Sequence, residues 1–165
     1  EGETGLDPRY ASSIIGFNLK ATEFQAVLGL TQIAKVDEII RKRQENVKYL
    51  NEGLEKYSDV FQLPRYLTNV SYLCYPLIIK DPSVSRKRIR ELIAARGVES
   101  RPLFGCIPLH QPAYSYLKKE YQGKLPKAEH FGSRGFYVGC HQFLTQEQLD
   151  YMIKSFGEVV KAVKR

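Results

Sequence analysis

The chain has no tryptophan, one methionine and three cysteines in 165 residues. Cys74, Cys106 and Cys140 share no tight spacing, so they build no disulfide framework. A reducing, cytoplasmic setting is therefore expected. No apolar run approaches the roughly 20 residues that span a bilayer, and no signal peptide is read at the start. These absences argue against a membrane protein. No glycine-rich phosphate loop follows a predicted strand, which excludes a complete dinucleotide-binding fold. Internal repeats and low-complexity tracts are also missing. The chain opens on EGETGLDPRY without an initiator methionine, which reads as a processed product or a piece of something longer.

What is present is the material of a core. Hydrophobic residues make up 43% and charged residues 26%, the balance of a globular chain, and the length suits one ordinary domain. The formal charge is +7. Such a surplus favours acidic partners, whether phosphates, nucleic acid, anionic lipid or anionic metabolites, without choosing among them.

Residues 1–20 read as an irregular arm, and residues 21–165 as the domain proper. Thr22 and Gln25 form a capping box that starts a helix. Near-helical apolar spacing continues to about Lys56, in one piece or two. Ser71–Lys80 reads as a strand, with Pro76 placing it at an edge or a bulge. Ser85–Gly97 reads as an amphipathic helix closed by Gly97. Val98–Phe104 reads as a short strand, and Cys106–Pro126 as a loop with one helical turn. Lys127–Gly135 is a short helix and Phe136–Cys140 a strand. A second capping box, Thr145 and Gln148, opens the last helix. A few strands separated by helices predict an α/β (α+β) sandwich with a small antiparallel or mixed sheet covered by helices.

Five constellations carry possible chemistry. Cys106, His110, His130, Cys140 and His141 lack the paired spacing of a zinc site, so buried cysteines and ordinary histidines are the better reading. A Cys–His nucleophile needs an adjacent base, and no spacing singles one out. The basic stretches RKRQENVK and SRKRIRELIAAR, with 11 tyrosines and 8 phenylalanines, suit nucleic acid. They come without any nucleic-acid motif, however, and basic helix faces are usually just solvated. FNLKAT gathers Asn18, Lys20 and a helix start within a few residues. That is phosphate-binding chemistry, balanced evenly against a simple cap with a surface lysine. Last, SRPLFGCIPLHQPAY places Arg101 at a strand end and His110 in a loop. Ligand contact is the preferred reading, against an exposed loop with Arg101 in a surface ion pair.

The last two stretches resemble one family. GFNLKATEFQAVLGLTQI is similar to the segment that opens the C-terminal part of the DegT/DnrJ/EryC1/StrS sugar aminotransferases. These are pyridoxal-phosphate enzymes of fold type I. Their usual form is Gly-Tyr-Asn-x-Arg, then Met-Thr. Here Phe17, Lys20 and Ala21 depart from that form, while Gly16, Asn18, Thr22, Glu23, Gln25 and Ala26 match it. GVESRPLFGCIPLHQPAY and FYVGCHQFLT resemble two later stretches of the same family. In the second, Val138-Gly139 stands where Leu-Pro is usual.

The resemblance implies the small C-terminal domain of a fold type I enzyme. It implies that Asn18 hydrogen-bonds the pyridoxal 5'-phosphate of the other subunit of a homodimer, with Lys20 adding charge. Arg101 and His110 would contact a nucleotide-sugar, and the amino group would come from an amino acid. The setting would be the biosynthesis of surface polysaccharide or secondary-metabolite sugars. The Schiff-base lysine motif of the family is not in this sequence, so the chain alone is expected to have no transaminase activity. Two alternatives stand: a pyridoxamine-phosphate-dependent 3-dehydratase of the same family, and a non-catalytic basic nucleic-acid-binding domain.

Overall fold

The structure, a computed structural model, describes residues 16–17, 19–103 and 111–164. The chain divides between Val36 and Asp37 into two units. The first contains α1 (Glu23–Ile33). Thr22 accepts a hydrogen bond from the Gln25 N–H, and the Gln25 side chain accepts from the Thr22 N–H. The predicted capping box is therefore formed. No residue of α1 is buried, although Phe24, Val27, Leu28, Leu30 and Ile33 are all apolar. The long helix expected from the sequence is two pieces. The break falls at Ala34 and Lys35, before α2 (Val36–Leu54).

The second unit is a four-stranded sheet with helices. Its strands are β1 (Phe61–Gln62), β2 (Cys74–Ile79), β3 (Ser100–Pro102) and β4 (Gly135–Gly139), in the order β1-β2-β4-β3. Every pairing is antiparallel. Both β2 and β3 run antiparallel to β4, so they are parallel to each other, joined by α3 (Arg86–Ala94) and split by β4. The short helices α4 (Lys118–Tyr121) and α5 (Pro126–Arg134) precede β4, and α6 (Gln146–Val163) follows it.

The period-two alternation of the strands sets one sheet face inward. Phe61, Tyr75, Leu77, Ile79, Phe136 and Val138 are buried there. The helices supply Val47, Leu50 and Leu54 from α2, Ile89 and Ile93 from α3, and Leu149, Met152, Phe156 and Val160 from α6. These follow the three-to-four spacing of a helical stripe. Three phenylalanines meet edge-on or stacked at the centre, with Phe61 and Phe156 at 5.8 Å and Phe136 and Phe156 at 6.4 Å. Helix α3 ends in a Schellman motif. Gly97, at φ 75°, donates to the Ala94 carbonyl, and Val98 donates to that of Ile93. The glycine expected at this helix end is the one residue type that takes that backbone angle freely.

Two details of the sheet differ from the sequence reading. β1, only two residues long, was not anticipated. Pro76 lies in an interior strand rather than at a sheet edge. β1 reaches only Ile78 and Ile79, so on that side Pro76 has no strand neighbour and its missing N–H costs no ladder bond.

Four arginines are engaged by the fold's own main chain. Arg43 donates to the carbonyls of Tyr72 and Leu73 and to the side chain of Gln142. Arg86 donates to the carbonyls of Gly132 and Gly135, Arg90 to Ser100, and Arg134 to Lys80. These arginines tie separate segments together through their main-chain carbonyls.

Candidate functional site

Lys20 is exposed just ahead of α1, in the first unit. Asn18 and His110 lie outside the described residues, as does Cys106. Arg101 is in β3, in the second unit. So of the four residues singled out in the sequence, two have a described position, one in each unit.

Arg101 pairs in register with Tyr137 of β4, and Tyr137 with Pro76 of β2. Directly opposite residues share a face, so the three form a row across the open side of the sheet. The Arg101 guanidinium also holds Glu99, with Nε and Nη2 each 3.1 Å from the carboxylate. Glu99 first, and Tyr137 after it, raise the already high pKa of Arg101. Arg101 thus makes the surface ion pair weighed against ligand contact, and it does so at the rim of a groove.

That groove, about 760 Å³, is lined by the residues around β3, by the end of β4 and by the start of α6. Tyr137 and Gly139 belong to β4, and His141 follows it. Phe143 donates its N–H to His141 Nδ1 at 3.3 Å, so the neutral ring carries its hydrogen on Nε2. On the α6 side, the Tyr151 hydroxyl donates to the Arg96 carbonyl at 2.9 Å, which pins an exposed ring. Gln148 is fixed by the second capping box, its side-chain oxygen accepting from the Thr145 N–H. Below, the buried Asn46 amide donates to the His141 carbonyl and holds the turn after β4.

The two described thiols offer little chemistry. Burial pushes Cys140 up to about 12 and raises Cys74 as well, so neither is a ready thiolate. Among the described residues, no group of three or more His, Cys, Asp or Glu is placed to hold a metal. No described helix is long and apolar enough to cross a membrane.

The sequence reading missed the groove. Its parts come from three separate segments, and the sequence reading weighs Arg101 for ligand contact and His141 only as a metal ligand. The signal available was the Val138-Gly139 departure next to His141.

Comparison with known proteins gives three kinds of likeness. The model of the DegT/DnrJ/EryC1/StrS aminotransferase family matches residues 2–157. The chain is 31% identical to the lipopolysaccharide biosynthesis protein RfbH of Salmonella typhimurium, over 93% of this chain and 36% of that protein. It is 29% identical to the GDP-perosamine synthase of Caulobacter vibrioides, over 94% of this chain and 42% of that protein. Its fold matches that of the E. coli GDP-4-keto-6-deoxy-D-mannose-3-dehydratase with bound hydrated PLP. That match has a TM-score of 0.75 at 22% identity, covering 90% of this chain and 38% of that one. The chain therefore spans well under half the length of these relatives.

Proposed function

Because the chain belongs to the DegT/DnrJ/EryC1/StrS aminotransferase family, we propose that it is the C-terminal part of a pyridoxal-phosphate enzyme acting on a nucleotide-linked keto-sugar. The observation that carries this reading is the match over residues 2–157, together with the formed cap at α1. The role of Lys20 follows from the local chemistry. Lys20 is an exposed residue just before a helix whose Gln25 N–H is capped by Thr22. A cation beside a helix start attracts a phosphate. These residues fit the phosphate end of pyridoxal phosphate. Its ring and aldehyde would be held by residues outside this chain. Asn18 would join Lys20 at the phosphate, shared across a homodimer. When bound, the cofactor supplies the electron sink for amino-group transfer from an amino-acid donor. Arg101 and His110 would contact the nucleotide-sugar, whose diphosphate suits a guanidinium.

A second reading within the family is a sugar 3-dehydratase. It is supported by relatives of that activity at 29% and 26% identity. The nucleic-acid reading has less support, since Arg43, Arg86 and Arg90, three of the arginines it relied on, are bonded to carbonyls.

The test begins with the coding sequence adjoining Glu1. A lysine in a Ser-rich strand ahead of a Gly-Glu-Gly-Gly turn supports the aminotransferase, and a histidine there supports the dehydratase. In the full polypeptide, Lys20→Ala is expected to weaken cofactor retention about tenfold or more, the size of one charge-assisted contact. Unchanged retention would remove Lys20 from the site. The isolated 165 residues are expected to show no turnover, and measurable turnover would defeat the fragment reading.

A further inference from the structure

We propose that Glu99 is a built-in competitor at Arg101: its carboxylate occupies the guanidinium fork that a ligand's phosphate would take, and it gives way when the phosphate arrives. The inference rests on the reading of Arg101 as a contact for the diphosphate of a nucleotide-sugar. It adds the residue that sets the strength of that contact. The strand places the two side chains together. Glu99 immediately precedes β3 and Arg101 is the middle residue of β3, and residues two apart on an extended chain share a face. Ser100 between them is tied to α3. There Arg90 donates from Nε to the Ser100 hydroxyl at 3.3 Å and from Nη2 to the Ser100 carbonyl at 2.9 Å. On its other side Arg101 is paired with Tyr137, whose side chain also interacts with the guanidinium. The backbone is thus held from both sides, while the two side chains stay open to ligand, Arg101 at 66% and Glu99 at 78% exposure.

The geometry of the pair shows what competes. Nε and Nη2 of Arg101 both reach one oxygen of Glu99, Oε1, at 3.1 Å. Those two N–H groups make one of the forks with which an arginine grips a carboxylate or a phosphate. A phosphate takes that fork only by displacing Glu99. The partner is also of a kind that can leave. Arg43, Arg86, Arg90 and Arg134 are bonded to main-chain carbonyls, which the fold fixes. Glu99 holds Arg101 through a rotatable side chain, and an exposed ion pair contributes little stability. It is enough to orient the guanidinium in the free protein and too little to withstand a diphosphate.

The test is a calorimetric titration of the full polypeptide with CDP, GDP, UDP and dTDP, and with cytidine, guanosine, uridine and thymidine as uncharged controls. Glu99→Gln keeps the shape and removes the charge. It is expected to tighten the diphosphate that binds the parent by about two- to fivefold, the range of an exposed ion pair. The matching nucleoside is expected to bind as before. Arg101→Gln should weaken the same diphosphate, and adding Glu99→Gln to it should have little further effect, because the competition acts through the guanidinium. If Arg101→Gln weakens binding and Glu99→Gln does not tighten it, the competitor is overturned and the reading of Arg101 stands. Equal tightening by Glu99→Gln with and without Arg101 would overturn it too, since that is plain charge repulsion. If no diphosphate binds the parent, or Arg101→Gln leaves binding unchanged, the reading of Arg101 itself fails and the competitor falls with it.

Discussion

The side-chain amide of Asn46, in α2, donates to the main-chain carbonyl of His141 at 2.9 Å. One bond thereby ties the first helix of the larger unit to the turn that ends its last strand. Asn46 is nearly fully buried, and its amide also donates to the Cys140 carbonyl, so truncation removes two hydrogen bonds of about 0.5–1.5 kcal/mol each. Asn46→Ala should therefore lose about 1–3 kcal/mol of stability, read from urea unfolding. Asn46→Asp should lose more, because a carboxylate would face a carbonyl oxygen. Equal stability in both variants would show that the turn is held by other contacts.

Phe156 sits where β1, β4 and α6 converge, with rings of Phe61 and Phe136 against it. Its side chain is fully buried. Truncation to alanine leaves a cavity as well as a lost transfer term, and should cost about 3–5 kcal/mol. Phe156→Leu keeps most of the volume and should cost clearly less. A thermal or chemical melt orders the three proteins.

The helices were legible because each carries its own local signals. Thr22 with Gln25 and Thr145 with Gln148 fixed two helix starts, and both boxes are formed. Gly97 fixed a helix end. β1 was not legible because two residues, Phe61 and Gln62, have no periodicity to read. It exists only because Ile78 and Ile79 offer an edge. Pro76 misled for the same reason, since a proline cannot report that a neighbouring strand stops short of it. At the site, Arg101 stood out by its type and neighbours. Its ion pair with Glu99 and its row with Tyr137 depend on sheet register, which no local spacing encodes. The groove needed β3, β4 and α6 assembled before it existed at all.

Cys140 should be inert. It is buried, and burial pushes its thiol up to about 12, so at pH 8 almost none is thiolate. Its sulfur also faces the Tyr72 carbonyl. Peptide-mapped labelling with a thiol reagent should leave Cys140 unmodified in the folded chain and modify it fully in denaturant. Cys74, half-buried and also raised, should react slowly. Fast labelling of Cys140 at neutral pH would mean that the β4 end opens.

Acid should destabilise the larger unit through three carboxylates. Lys164 bonds Asp59, Ser83 bonds Asp81, and Arg96 bonds Glu158; each contact lowers the carboxyl pKa below its ordinary 3.8 or 4.5. In the unfolded chain these groups titrate at the ordinary values. Below neutrality the unfolded chain therefore binds more protons than the folded one. By linkage, stability is present above the ordinary values and is lost as pH falls through and below them. All three groups are exposed, so each effect is small and solvent-screened. Salt should separate them. Asp59 and Glu158 face cations and should contribute less at high ionic strength, while Asp81 relies mainly on the Ser83 hydroxyl and amide and should contribute about as before. The measurement is the urea midpoint from neutral pH to about pH 3, at low and high salt, for the parent, Asp81→Asn and the Asp59→Asn/Glu158→Gln pair. The pair should flatten the pH slope at low salt only, and Asp81→Asn at both. A parent whose midpoint does not fall in acid would show that these contacts are not formed in solution.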